Sequence, residues 1–280
     1  MDRDAVPPVN RLDDDQLRAH VAGREWYHSI ELRPGVITPG WFDTRSVSGR
    51  LPWPDLNGQR CLDVGTFDGF WGFEMERKGA AEVVAIDILD PTKWDWPVGT
   101  QDAVVEAIGA RKRGGDGFLT AAAELGSTVV RREMSVYDLD PAVVGEFDVV
   151  YVGSLLLHLR DPVRALEAVR AVLKPAGQLL LVDAIDLELT LRSPRSPVAR
   201  LDGLGRPWWW KPNKAGLKRL VEAAGFNVTQ GPTSFPMPFG PGHHRTKVSI
   251  KALRHAAGRQ EAVEQWRGDP HAWVLARLRP

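Results

Sequence analysis

The first residues whose chemistry can be read from their spacing are two acids around a pair of glycines. Leu62-Asp63-Val64-Gly65-Thr66-Phe67-Asp68-Gly69 is a short apolar run closing on a turn, and Asp87 ends the next apolar run. A turn between strand and helix offers free backbone N–H groups and the positive end of a helix dipole, and Gly65 and Gly69 let a ligand approach the backbone. A carboxylate about twenty residues further on suits the two hydroxyls of a ribose. Gly65-Thr66-Phe67-Asp68-Gly69 lacks the Gly-x-Gly-x-x-Gly spacing that seats a pyrophosphate, which argues against a dinucleotide.

Proton-transfer chemistry has fewer candidates. His158 follows the apolar run Phe147-Asp148-Val149-Val150 on the same sheet edge and is the first choice for a general base. Tyr27 and His28, in an aromatic N-terminal segment, could close over an acceptor, and His243-His244 could do so from the other side. The plainer reading is a histidine that bonds a loop carbonyl, or one exposed in a Pro/Gly loop. Asp183 and Asp186 could offer oxygen ligands, but no third ligand has matching spacing, so no metal is expected. Trp94-Asp95-Trp96 and Trp208-Trp209-Trp210 either pack the core or line an aromatic pocket.

Alternating strands and helices must position these residues. Arg60 to Val64, Glu82 to Ile88, Phe147 to Val152, Gln178 to Asp183, Phe226 to Thr229 and His271 to Leu278 read as strands, with a weaker one at Thr128 to Met134 after a Gly-rich turn around Arg113 to Gly117. Helices are predicted from Leu12 to Ala22, through Phe70, Phe73 and Met75, and after the starts Asp161-Pro162 and Asn213. The helix after Asp161 is expected to turn Val163, Leu166, Val169, Val172 and Leu173 inward, and a polar helix is expected within Val248 to Trp266. Such alternation implies a parallel sheet covered on both faces. The segment from Trp26 to Pro54, rich in Pro-Gly pairs and aromatics, reads as turns and short strands in a cap.

Composition limits the function classes. The 280 residues, 43% hydrophobic, can bury a sizeable core, and no apolar run approaches the length of a membrane span. The acidic start Met1-Asp2-Arg3-Asp4 is unlike a secretory signal, so a cytoplasmic location is expected. Cys61 is the single cysteine, which excludes an internal disulfide. Zero formal net charge gives no support to a polyanionic partner and weighs against nucleic acid.

The turn resembles the acidic-x-Gly-x-x-x-Gly signature of class I S-adenosylmethionine-dependent methyltransferases. The resemblance extends in order through Leu155-Leu156-Leu157-His158-Leu159, Asp161-Pro162, Leu173-Lys174-Pro175-Ala176-Gly177 and Leu179-Leu180-Leu181, and covers roughly residues 58 to 230. It implies a Rossmann-like α/β fold, a mostly parallel seven-stranded sheet with an antiparallel last strand, with S-adenosyl-L-methionine as cofactor. By the same resemblance Asp63 faces the cofactor's amino group, Asp87 takes the ribose, Ile88 is a further cofactor contact, and Ser135, Val136 and Tyr137 lie near the adenine. Gly65, Thr66, Phe67, Gly69, Gly153 and Ser154 complete the expected contacts. Phe67 stands where the family has its middle glycine, which implies a slightly different turn. The expected division is an N-terminal cap over 1–57 and a methyltransferase domain over 58–280, with insertions near 190–212 and 236–270.

Trp26-Tyr27-His28-Ser29-Ile30-Glu31-Leu32, Thr38-Pro39-Gly40 and Trp209-Trp210-Lys211-Pro212 with Leu217 resemble the methyltransferase family that includes the tRNA wobble-uridine carboxymethyltransferases, which use a carboxylated cofactor. Those enzymes have a tyrosine where Leu157 precedes His158, and a basic stretch where this chain has Trp26 to Leu32. An extra carboxylate needs cationic and hydroxyl donors, so the ordinary cofactor is expected here. The leading expectation is methylation of a small-molecule acceptor on oxygen or nitrogen, in natural-product or sugar tailoring. A tRNA-modifying transferase and a catalytically silent cofactor-binding partner are the alternatives.

Overall fold

The computed structural model describes residues 11–98, 100, 105–106, 108–109, 116–201, 207–244, 254, 262 and 264–279. The N-terminal segment opens with α1 (Asp14–Ala22), one residue past Asp13, whose carboxylate accepts the Gln16 N–H while Gln16 answers to the Asp13 N–H. Leu17 and Val21 anchor this helix in the core. Four short strands follow: β1 (Trp26–His28), β2 (Glu31–Arg33), β3 (Val36–Ile37) and β4 (Gly40–Phe42). β1 runs parallel to β4, so close at Gly40 that a Cβ there would lie 2.1 Å from the His28 carbonyl carbon. A glycine is required at that crossing. The short helix α2 (Arg45–Ser48) leads on toward the sheet.

The layered part runs β5 (Arg60–Val64), α3 (Phe70–Arg77), β6 (Glu82–Asp87), α4 (Asp116–Leu125), β7 (Val130–Glu133), α5 (Pro141–Val144), β8 (Phe147–Gly153), α6 (Pro162–Ala171) and β9 (Leu173–Ala184). After it come α7 (Leu187–Arg192), β10 (Ala199–Leu201), β11 (Trp210–Pro212), α8 (Lys214–Ala223), β12 (Phe226–Met237) and β13 (Asp269–Leu278). The sheet has seven strands in the order β12-β13-β9-β8-β5-β6-β7. From β9 to β7 all neighbours are parallel, and β13 inserts antiparallel to both β9 and β12. The parallel part is the sheet expected from the alternation of elements, and the seven strands with an antiparallel last one are what the family resemblance implied.

Both faces are buried, so the central strands are apolar without interruption by polar residues on one side. Leu62, Val150, Val152, Leu179 and Leu181 pack under α6 and α8, while Cys61, Val149, Tyr151, Leu180 and Val182 pack against α3, α4 and the N-terminal strands. Cys61 is a core residue whose thiol burial pushes up to about 12, far from a reactive thiolate. The N-terminal segment is also tied to α4 by charge: Arg33 bonds the buried carboxylate of Glu124, which accepts the Leu12 N–H as well.

Several elements differ from the sequence reading. Gly117, assigned to a turn, lies inside α4, which starts at Asp116 and carries three consecutive alanines; residues 113–115 of that turn lie outside the described residues. Leu173, assigned to the inward face of a helix, opens β9 because α6 ends at Ala171. β12 runs on to Met237, with two register shifts against β13 that accommodate Gly231 and Pro232. Most of the helix expected within Val248 to Trp266 lies outside the described residues.

Candidate active site

A cavity of about 460 Å3 opens at the carboxyl edge of β5, β6 and β8, within the range of small-molecule sites. Its floor is the turn after β5. Gly65 and Phe67 line it, and both take left-handed backbone angles, φ +79° and +52°. A phenylalanine at such an angle is strained by roughly 1 kcal/mol, and the strain is offset by contacts. The Phe67 ring stacks on Tyr27, centroids 4.6 Å apart, and meets the edge of Trp94. Residue 67 holds a conformation natural to glycine, and its aromatic side chain joins the cap to the floor.

The N–H groups of Gly65, Thr66 and Phe67 are taken within the chain. Gly65 and Thr66 donate to the Ile86 carbonyl, and Phe67 donates to Asp87 Oδ2 at 2.7 Å. Ile88 donates to Asp87 Oδ1 at 2.8 Å. Both carboxylate oxygens are thus aimed by backbone, at a residue that lines the cavity. Such a group presents further lone pairs, in fixed directions, to hydroxyl donors.

Beyond Asp87, toward β7, the walls become apolar and planar. Met134, Ser135, Val136 and Tyr137 line one side, and Trp94 and Trp96 the other, their rings stacked 5.3 Å apart. The tryptophans are tied down by N–H bonds to the Ile88 and Pro91 carbonyls. Asp95 between them accepts from the Tyr137 hydroxyl and the Arg160 N–H, and its carbonyl accepts from Trp209. Burial raises Tyr137 to about 12, so it stays a hydroxyl donor.

Toward β8 the cavity is aromatic and carries the titratable groups. Tyr27, His28, Trp41, Trp71, Trp208 and Phe239 line it, with His158, His243, Lys211, Asp269 and His271. His28 is 3% exposed, and its Nδ1 lies 2.5 Å from Asp68 Oδ1, while Asp68 Oδ2 accepts the N–H groups of Tyr27 and His28. A carboxylate surrounded by donors fixes the imidazole proton on Nδ1 and leaves Nε2 as the acceptor. His158 bonds the Pro207 carbonyl through Nδ1, the structural role foreseen as its alternative, and still lines the cavity. Thr44 lines it too, 2% exposed, with a hydroxyl that has no hydrogen-bond partner among the described residues.

Of the residues singled out by sequence, Tyr27, His28, Gly65, Phe67, Asp87, Ile88, Ser135, Val136, Gly153, Ser154 and His158 line this one cavity. Asp63, Thr66 and Gly69 are not among the residues that line it. Asp63 and Thr66 are 1% and 0% exposed and lie beneath the turn, facing α3, because side chains alternate along β5 and Asp63 falls on the inward side. Burial raises Asp63 to about 7, against the pull of the Thr66 hydroxyl and His28. Gly69, φ +96°, is needed for packing, since a Cβ would lie 2.5 Å from the Phe73 ring. Asp183 and Asp186 also serve the fold. Asp183 accepts the N–H groups of Leu155, Leu156 and Ala184 yet is raised to about 7 by burial, and Asp186 caps α7 and pairs with Arg200. Among the described residues no group of three or more His, Cys, Asp or Glu side chains is placed to hold a metal ion. His244 is exposed and outside the cavity lining.

Sequence reasoning missed Asp68, Thr44, Lys211, Asp269 and His271. The His-x-x…Asp relation of His28 and Asp68 spans 40 residues and arises only when β1 crosses the turn.

Residues 44–231 match the family described as Methyltransferase domain. The chain belongs to that family, and its sheet is the Rossmann-like fold of class I S-adenosylmethionine-dependent methyltransferases. Among curated relatives it is 29% identical over 200 residues to the tRNA U34 carboxymethyltransferase of Azotobacter vinelandii, covering 70% of this chain and 54% of that one. It is 27% identical over 244 residues to the enzyme of the same name from Alcanivorax borkumensis, covering 80% and 68%. The chain spans about half the length of most of the curated relatives it matches. Its fold is similar to the N-terminal domain of EvdMO1, solved in the presence of SAH and D-fucose, with a TM-score of 0.51, 16% identity and coverage of 96% and 98%.

The residues present fit the cofactor of that family. Asp87 offers two oriented acceptors for a ribose, and Val136, Trp94 and Trp96 give the same cavity apolar and aromatic surface of the kind a purine packs on. No helix among the described residues is long and apolar enough to cross a membrane.

Proposed function

We propose that the chain binds S-adenosylmethionine with its ribose on Asp87 and its adenine beside Val136, and methylates a hydroxyl or amine of a small-molecule acceptor held near His28. Gly65, Phe67, Ile88, Ser135, Gly153 and Ser154 complete the cofactor's surroundings. In this reading residues 1–57 are the cap over the acceptor and 58–280 the catalytic domain, with inserted segments near 190–212 and 236–270. The observation that carries it is the Asp87 carboxylate, held by two backbone N–H groups on a cavity that Val136, Trp94 and the aromatic group around His28 also line.

When bound, the cofactor supplies a methyl group on a sulfonium. The chain's own residues then have three tasks: to align the acceptor, exclude water and receive a proton. Tyr27, Trp41, Trp208 and Phe239 supply apolar walls, and Thr44 a buried hydroxyl for a polar substituent. For a hydroxyl acceptor, His28 Nε2 would receive the O–H proton as the acceptor oxygen takes the methyl group and the electron pair of the broken S–C bond stays on sulfur. Asp68 then faces the imidazolium and stabilises it, as a carbonyl such as that of Pro207 on His158 cannot to the same degree. His28 is therefore the first base and His158 the second.

Mass spectrometry of cell extract incubated with the protein and methyl-labelled cofactor tests the reading. A labelled small molecule, formed at least a hundredfold more slowly by His28→Ala, is the expected result. No labelled product in any fraction would overturn it in favour of a silent cofactor-binding protein.

The second reading, a tRNA wobble-uridine (carboxy)methyltransferase, is favoured by the names of the relatives. It predicts salt-dependent tRNA binding in a mobility assay and labelled nucleoside in digested RNA. The neutral composition and Leu157 support the first.

A further inference from the structure

At the tip of β8, Ser154 holds a left-handed angle, φ +49°, although it is not glycine. Its N–H donates to the Val182 carbonyl at 2.7 Å, and its hydroxyl lies 3.0 Å from His271 Nε2. A strained residue on the wall of a cavity, with its side chain bonded to a buried histidine, marks a side chain whose direction is being held.

The proton positions follow from the partners. His271 Nδ1 lies 3.0 Å from the Asp269 backbone carbonyl, which only accepts, so Nδ1 carries the hydrogen. His271 is 1% exposed, packed against Phe42 of β4 and Phe235 of β12, and the charged groups acting on it are Asp269 and Lys211. Burial outweighs Asp269 and lowers its pKa, which keeps the ring neutral at pH 7 and Nε2 bare. The Ser154 hydroxyl must therefore donate to His271. Its lone pairs are left for the cavity that Ser154 lines.

We propose that His271 is a positioning residue that locks the Ser154 hydroxyl as a hydrogen-bond acceptor toward the cavity, where it receives the amino group of the cofactor's methionine end. The sheet order supports the placement. With the ribose on β6 and the adenine toward β7, the rest of the cofactor extends past β5 toward β8, whose tip is Ser154. A hydroxyl that can only accept selects a nitrogen donor there over the cofactor's carboxylate. This rests on the cofactor reading above.

The test compares calorimetric affinities for S-adenosylhomocysteine, which has the amino-acid end, and 5′-methylthioadenosine, which lacks it. Ser154→Gly relieves the backbone strain but leaves the buried His271 Nε2 without its donor, opposing effects that should keep the melting temperature within a few degrees of wild type. His271→Phe keeps the ring's bulk and removes its acceptor. Both should weaken S-adenosylhomocysteine about tenfold, the scale of one hydrogen bond to a charged group, and leave methylthioadenosine within twofold. His271→Gln, whose amide oxygen can take the Ser154 proton, should recover most of the loss. Equal weakening of both ligands, or of neither, would overturn the proposal. A wild-type protein that binds neither ligand would instead overturn the cofactor reading.

Discussion

Replacing Asp68 by Asn tests the His28 assignment with almost no change of shape. Asp68 is 4% exposed and accepts three hydrogen bonds, from the N–H groups of Tyr27 (2.8 Å) and His28 (3.1 Å) and from His28 Nδ1 (2.5 Å). An asparagine has one acceptor oxygen and one NH2, so in either orientation a donor faces donors. If the oxygen keeps the two backbone N–H groups, the NH2 points at Nδ1, the imidazole proton moves to Nε2, and the base is lost. Loss of a buried hydrogen bond to a charged group is worth about 2 kcal/mol, a melting shift of about 4–8 °C for a chain of this size. The effect on rate is larger, about 10²–10⁴-fold for removal of a general base. Thermal melting, calorimetry with S-adenosylhomocysteine and initial rates of label transfer separate the three quantities. The expected pattern is a modest melting shift, cofactor affinity within threefold, and a rate lowered at least a hundredfold. Turnover within threefold of wild type would refute the role of the pair.

Two further outcomes follow from the buried carboxyls and the tryptophan loop. Asp63 and Asp183 sit near 7 in the folded chain against 3.8 ordinarily, so the unfolded chain ionises first as pH rises. Stability should fall between about pH 4 and 7 and level off above, each group contributing about 1.4 kcal/mol per pH unit at most. Urea titrations at pH 4.5, 5.5 and 6.5 should show a flatter dependence for Asp63→Asn, and an identical slope would contradict the assignment. Asp95→Ala removes the acceptor that joins the tryptophan loop to Tyr137 and Arg160, so S-adenosylhomocysteine should dissociate about tenfold faster by stopped-flow fluorescence. An unchanged rate would mean that the loop does not hold the purine end.

Much of the sheet was legible because a strand buried on both faces is a short apolar run between turn residues, as at Arg60–Val64 and Phe147–Gly153. Helix starts were legible where the cap is local, as at Asp161 with Pro162 and at Asn213. The full length of β12 was not: the segment read as a strand stops at Thr229, while pairing with β13 carries it through Gly231 and Pro232 to Met237 across register shifts. The cavity was visible wherever its residues lie in one strand-turn unit, as with Gly65 and Asp87. Groups that depend on chain crossings were hidden: Asp68 reads as part of a glycine turn until β1 reaches it, and His271 reads as the start of a strand until β13 brings it to Ser154. Phe67 was legible as a departure in residue type, but its left-handed backbone and its stacking on Tyr27 were not.

In the proposed function a nucleoside cofactor rests on Asp87 beside the turn that carries Gly65 and Phe67. Calorimetry of S-adenosylhomocysteine with the wild-type chain and with Asp87→Ala tests it most directly. The alanine removes both oriented oxygens and also leaves the Phe67 and Ile88 N–H groups without their acceptor. The account predicts saturable one-to-one binding by the wild type and a loss of at least a hundredfold in the variant, with melting temperature lowered by no more than a few degrees. Equal affinity in the two proteins would contradict it.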